Sequence, residues 1–211
     1  SNYVKLCEDW ADKFMKMDQE NLRKRVPELK EENGFLTLIH FGRKYGISLN
    51  DGSICSMDGQ QEPDTTEMLN IYTLLGYAKE GAFFMNKWVP FADLRNARPF
   101  APAYKIGETD VFGATFSGHE KELREAFCKL GGKELPQGDV GYEIRAFECM
   151  PMRFFFWERD EEFEAQGNIL FDYSATDFNH VESAVSIADV GIKRLAELAG
   201  LPVRGKSFQM K

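Results

Sequence analysis

The strand-forming runs of this chain fall into two groups, and that grouping limits its fold more than any other feature. The first group spans residues 35–57. Residues 35–41 are mostly apolar and rich in β formers, Tyr45, Ile47 and Leu49 alternate with Gly46, Ser48 and Asn50, and residues 53–57 form a return strand. Asp51-Gly52 predicts a two-residue hairpin turn, because both central positions of a type I′ turn need positive φ. The second group comprises residues 140–150 and 152–158, with Pro151 predicting a bend or an edge, and then residues 168–172. Residues 87–91 add a short run. Strands that alternate singly with helices would predict a doubly wound parallel sheet. Strands in clusters predict an α+β fold instead.

Helical signals separate and flank the clusters. Cys7, Trp10, Phe14 and Met17 recur at spacings that place them on one stripe. Asp18 predicts the cap of a second, more polar helix that runs through Arg25 and stops before Pro27. Asp64-Thr-Thr-Glu67 is a capping-box pattern, and the helix it opens through Tyr77 is apolar on most of its circumference. Ser117-x-x-Glu120 repeats the pattern ahead of Leu123, Ala126, Phe127 and Leu130, with Gly131-Gly132 as the stop. Asn179 and Glu182 predict the cap of a last helix that runs to Gly200, ahead of Pro202. Residues 92–116 read as irregular, and the tail to Lys211 as basic and mobile. The expected architecture is α+β, a mainly antiparallel sheet from two strand clusters packed with three to five helices. With no linker and no repeat, residues 1–211 read as one domain.

Composition narrows the function classes. The 43% of hydrophobic residues in a 211-residue chain can supply a core without a disulfide or a metal. The net charge of −8 repels phosphate backbones, which argues against nucleic acid as partner. No apolar run approaches the ~18 residues of a membrane span. Glu8 and Asp9 interrupt the apolar pattern of the N-terminus, which therefore does not read as a signal peptide. Cys7, Cys55, Cys128 and Cys149 form no Cys-x-x-Cys knuckle, so neither zinc nor an iron–sulfur cluster is signalled. They read as buried, reduced thiols in the cytoplasm.

Three constellations carry candidate chemistry. Glu158, Asp160, Glu161, Glu162 and Glu164 follow an aromatic run, with Asp172, Asp177, His180 and Glu182 beyond the next strand. Convergence of Asp172, Asp177 and His180 would suit a divalent cation, which wants several hard ligands. The alternative is a solvated hairpin loop and a helix cap. Positive charge gathers between Lys79 and Lys105, and Arg43, Arg95 and Arg98 are candidate anion ligands because guanidinium forks bind carboxylate or phosphate bidentately. The alternative is pairing with the abundant carboxylates. Phe154-Phe155-Phe156-Trp157 can flank a ligand or a partner, or form a strand buried on both faces. Of the three histidines, His40 lies in an apolar strand and reads as a core group, and His119 sits at a helix N-terminus, where the dipole opposes its protonation. The nucleophile elbow, the phosphate-binding loop and the His-Glu-x-x-His zinc motif are all missing.

The stretch Pro151-Met-Arg-Phe-Phe-Phe-Trp-Glu-Arg-Asp-Glu-Glu-Phe-Glu-Ala-Gln-Gly-Asn-Ile-Leu-Phe-Asp172 resembles the core motif of a prokaryotic family, domain of unknown function 3786. Phe41-Gly-Arg-Lys-Tyr-Gly-Ile-Ser, Trp88-Val-Pro-Phe-Ala-Asp-Leu and Leu130-Gly-Gly are similar to earlier blocks of that family. The resemblance implies a protein of anaerobic bacteria or archaea and makes Asp160, Glu161, Phe163 and Asp172 part of a defining feature. It carries no activity, and these 211 residues do not include the cysteine-rich iron–sulfur segment that some relatives carry ahead of the domain, so the resemblance does not extend to a cluster-bearing role. The leading expectation is a non-catalytic accessory domain of anaerobic metabolism that binds a small anion, a cofactor or a protein partner. The second is an enzyme with a carboxylate-lined site at Asp160, Asp172, Asp177 and His180, and the third a scaffold subunit with an aromatic patch. No particular cofactor is signalled.

Overall fold

The computed structural model describes residues 2–205, apart from the side chain of Ile106. The basic tail expected to be mobile therefore lies outside the described residues beyond Gly205. Two antiparallel sheets are present. The first has strands β1 (Lys30–Glu32), β2 (Phe35–His40), β3 (Arg43–Ser48) and β4 (Ile54–Ser56), in that order. The second has β5 (Trp88–Pro90), β6 (Lys133–Glu134), β7 (Val140–Phe147), β8 (Met150–Trp157) and β9 (Gln166–Asp172), in the order β5-β9-β8-β7-β6. The α+β class and the two antiparallel clusters expected from the sequence are borne out.

The turns are placed differently from expectation. Asn33 and Gly34 join β1 to β2 with φ of 50° and 83°, and Phe41 and Gly42 join β2 to β3 with φ of 42° and 77°. Both pairs have the positive φ of a type I′ turn. Gly52 has positive φ, but it lies in a longer loop between β3 and β4, not in the expected two-residue turn. The expected strand break at Pro151 is instead a hairpin that turns at Glu148 and Cys149, and Pro151 is the second residue of β8.

The four helices of ten residues or more among the described residues are α1 (Asn2–Phe14), α3 (Thr65–Tyr77), α6 (Glu120–Lys129) and α8 (Val181–Ala199). Between them lie α2 (Gln19–Arg25), α4 (Ala101–Tyr104), α5 (Asp110–Phe116) and α7 (Ala175–Phe178). Asp18 caps α2 through the Asn21 N–H at 2.7 Å. The capping box of α3 is complete, with Glu67 N to Asp64 Oδ1 at 2.8 Å and Asp64 N to Glu67 Oε2 at 3.0 Å. Ser117 does not cap α6. His119 holds that position without a side-chain bond, and Ser117 Oγ donates to Glu158 instead. The cap of α8 is His180, whose Nδ1 accepts from Glu182 N, while Asn179 Oδ1 accepts from His180 N. Gly200 ends α8 with φ of 70°. Residues 92–116 are not irregular. They hold two 3₁₀ turns, α4, a π-helical segment at Lys105–Thr109 and α5, with prolines in the first turns, where their missing N–H costs nothing.

The buried apolar side chains form one cluster that draws on both sheets and reaches from Cys7 to Ala196. Helix α8 links the sheets. A Cβ at Gly191 would lie 2.9 Å from the Phe41 ring and 3.2 Å from that of Phe154 on β8, so only glycine admits this approach. The Phe41 N–H donates to the Ala146 carbonyl of β7 at 2.9 Å, which joins the first sheet to the second. His40 is fully buried, as expected. Its Nδ1 lies 2.8 Å from Ala146 O and its Nε2 3.5 Å from Asn70 Nδ2, a pairing that suits a neutral ring protonated on Nδ1.

Candidate functional site

The connection from β8 to β9, residues 158–165, is built around two carboxylates that organise backbone rather than bind each other. Asp160 Oδ1 accepts from the N–H groups of Glu162 (2.8 Å) and Phe163 (2.7 Å), which fixes a tight turn. Glu158 reaches across to the end of α5, accepting from Ser117 Oγ at 3.0 Å and Gly118 N at 2.6 Å. Its own N–H donates to Asp139 Oδ2 at 2.7 Å. The turn is therefore clamped to α5 on one side and to the start of β7 on the other.

This clamp leaves charge and aromatic surface facing outward. The two backbone N–H groups hold the Asp160 carboxyl below its ordinary range. Burial works to raise Glu158, but the N–H groups of Arg159 and Gly118 and the Ser117 hydroxyl outweigh it, so the net direction is down. Both are anions at neutral pH. Glu161, Glu162 and Glu164 are exposed, Phe163 is 61% exposed and Trp157 is 39% exposed. Among the described residues, no ion pair engages Glu120, Asp139, Glu158, Asp160, Glu161, Glu162 or Glu164. Trp157, Phe163 and several of these carboxylates line a shallow groove of about 600 Å³, in which Arg159 is the cation.

A second cavity adjoins this one. It measures about 710 Å³ and lies between α5, the first residues of β9, the turn and Arg204. Its walls approach closely. A Cβ at Gly113 would fall 2.6 Å from the Ala165 carbonyl, and one at Gly167 would fall 2.5 Å from the Phe112 ring and 2.8 Å from the Thr109 carbonyl.

The residues singled out from sequence are distributed as follows. Asp172 is buried, and both its oxygens are used: Oδ1 accepts from Met85 N and Ser174 N, each at 3.0 Å, and from Ser174 Oγ, while Oδ2 accepts from Lys87 N at 2.9 Å. Asp177 binds Lys79 Nζ at 2.9 Å and Arg95 Nη1 at 2.5 Å. Burial pushes its carboxyl up, the two cations pull it down, and the net direction is down. His180 is an exposed helix cap beside Tyr77. Asp172, Asp177 and His180 thus have separate partners, and among the described residues no group of three or more His, Cys, Asp or Glu side chains is arranged to hold a metal ion.

Arg43 and Arg95 are also apart. Arg43 pairs with Glu197 near the C-terminal end of α8, and Arg95 with Asp177 just ahead of its N-terminal end. The 19 residues of α8 span roughly 28 Å, so one small anion cannot touch both. Arg95 and Lys87 also lie over the Tyr173 ring, at 4.8 and 4.1 Å. Arg98 is exposed at the start of a 3₁₀ turn. Asp160, Glu161 and Phe163 do lie together at the turn. Sequence reasoning missed Asp139 and Glu120 as their neighbours, because these two come from distant segments with no shared local pattern, and it passed over Arg159 although that residue directly precedes Asp160.

An α+β domain with two antiparallel sheets and a carboxylate-rich, aromatic turn between its last two strands is the class this geometry defines. The chain belongs to the family described as Domain of unknown function (DUF3786), which it matches over residues 20–194. The match takes in the whole turn, Lys105 and Arg159, and stops short of Arg204. No curated protein and no solved structure matches the chain.

Proposed function

We propose that this is a non-catalytic accessory domain of anaerobic metabolism that docks a cationic segment of a partner protein on the β8–β9 turn. The observation that carries the reading is the set of carboxylates without ion-pair partners around exposed Trp157 and Phe163. Negative charge steers a basic partner, and aromatic faces bind desolvated cations and their aliphatic stems. Several cations elsewhere, Arg43, Arg95, Arg153 and Arg194 among them, are engaged by other carboxylates. Within the groove Arg159 alone faces Glu120, Asp139, Glu158, Asp160 and Glu164, so negative charge remains in excess. A carboxylate-lined reaction centre has less support, because Asp172 and Asp177 are committed to internal donors.

We further read residues 1–211 as one cytoplasmic domain. The shared apolar cluster supports the first part, and the four free thiols fit a reducing compartment, although of the four only Cys7 is buried as expected, Cys55 and Cys149 being half-buried and Cys128 exposed.

The test is isothermal titration with an arginine- and lysine-rich nonapeptide at low salt. Glu161→Gln/Glu162→Gln/Phe163→Ala should weaken binding about tenfold or more, while Asp9→Asn/Asp12→Asn on the exposed side of α1 should leave it unchanged. Equal affinity for all three proteins would refute the reading.

A further inference from the structure

The cavity between α5 and the start of β9 holds charge that the fold does not use. Lys105, Arg159 and Arg204 line it together with Asp110 and Glu164, and among the described residues none of the five enters an ion pair. The cavity thus carries three cations against two anions in a chain with 34 acidic and 26 basic residues. Three separate segments deliver the cations: the π-helical turn Lys105–Thr109, the β8–β9 connection and the stretch after α8. Each is anchored. The backbone at Arg204 is held to α5, with its N–H donating to Thr115 Oγ1 at 3.0 Å and its carbonyl accepting from that hydroxyl at 3.4 Å. The Arg159 N–H donates to Glu158 Oε1 at 2.9 Å, and Glu158 is itself clamped to Ser117 and Gly118. The π geometry widens one helical turn at Lys105, a distortion often found at functional sites.

We propose that this cavity binds a small organic anion that also carries hydroxyl groups. Guanidinium and ammonium donors would hold the carboxylate or phosphate. The Asp110 and Glu164 carboxylates, which would repel a bare anion, would accept from its hydroxyls. The site is distinct from the aromatic groove, which is shaped for a cation, although Arg159, Glu164 and Gln166 border both. Nothing in the proposal depends on a protein partner.

The experiment is a two-dimensional amide NMR titration at low salt with glycerol 3-phosphate, glycerate and glycerol. Saturable shifts at Thr109, Ala114 and Gly167 are expected with at least one of the two anions, and the tighter one identifies the acid group. Glycerol should give none. Lys105→Ala/Arg159→Ala removes two exposed side chains and keeps the spectrum of the fold, and it should weaken anion binding about tenfold or more. Absence of saturable shifts with both anions would overturn the proposal, and so would undiminished affinity in the double variant.

Discussion

Arg194 of α8 donates from Nη1 to the carbonyl oxygen of Phe41 at 2.8 Å, so the last helix holds the tip of the β2–β3 hairpin. Nη2 of the same guanidinium pairs with Glu67 Oε1 at 2.5 Å, and the Tyr45 hydroxyl donates to that oxygen at 2.8 Å. The side chains of Arg194 and Glu67 are 4% and 9% exposed. One buried cation therefore joins the first sheet, the capping box of α3 and α8. It also helps to explain how Phe41, a bulky residue, keeps a φ of 42°.

Removing that cation should cost more than the pair itself contributes. Arg194→Ala leaves the Glu67 charge buried without its main partner, and a loss of about 3–5 kcal/mol is expected from urea denaturation. Arg194→Met/Glu67→Gln should lose clearly less than the sum of its two single changes. Additive losses would show that the two side chains are not coupled.

His40 gives the protein an acid sensitivity. Burial pushes its pKa from 6.5 down to about 3, opposed by the bond to Ala146 and reinforced by the charge of Arg194. The unfolded chain binds the proton that the folded chain refuses, so stability is full above pH 6.5 and falls as pH drops toward 3. Between pH 7 and pH 4 this one group should remove about 3 kcal/mol. His40→Asn should be less stable at pH 7 but lose correspondingly less over that interval, read from denaturation midpoints. A parallel pH dependence in the two proteins would contradict the assignment.

What could be read in advance was what is encoded locally. The Asp64–Glu67 box, the Asp18 cap and Gly200 at the end of α8 each rest on residues within one helical turn. The hairpin tips were harder. Asn33-Gly34 is a strong local turn signal, but it borders a strand of only three residues. Phe41-Gly42 carries no turn propensity at its first position, and the distant bonds to Ala146 and Arg194, with the packing of the Phe41 ring against Gly191, hold it there. The acidic turn was legible as charge, whereas the cavity beside it was not, because Lys105, Arg159 and Arg204 meet only through tertiary structure.

Asp172 should behave as a structural knot. Its carboxylate gathers the N–H groups of Met85, Lys87 and Ser174, tying residues 85–87 to the end of β9. Asp172→Ala should cost about 2–4 kcal/mol and accelerate amide exchange at Met85 and Lys87. Asp172→Asn, which keeps one acceptor, should fall between it and the wild type. Unchanged exchange in the alanine variant would count against this role.

The close crossing of α5 and β9 leaves no room for a methyl group. Gly167→Ala would press a Cβ against the Phe112 ring and the Thr109 carbonyl. A loss of about 1–3 kcal/mol is expected, read as a lowered melting temperature. Gly59→Ala, whose Cβ would meet nothing within 4 Å, serves as a control and should cost less despite its φ of 72°. A smaller loss at Gly167 than at Gly59 would contradict the geometry.

The docking role of the β8–β9 turn is tested most directly by inverting its charge. Wild-type protein and the Glu161→Lys/Glu162→Lys variant would be titrated calorimetrically with a basic peptide and with the same peptide carrying glutamate at every basic position. The wild type should prefer the basic peptide, and the inverted turn the acidic one. An unchanged preference in the variant would place the partner surface elsewhere and contradict the account.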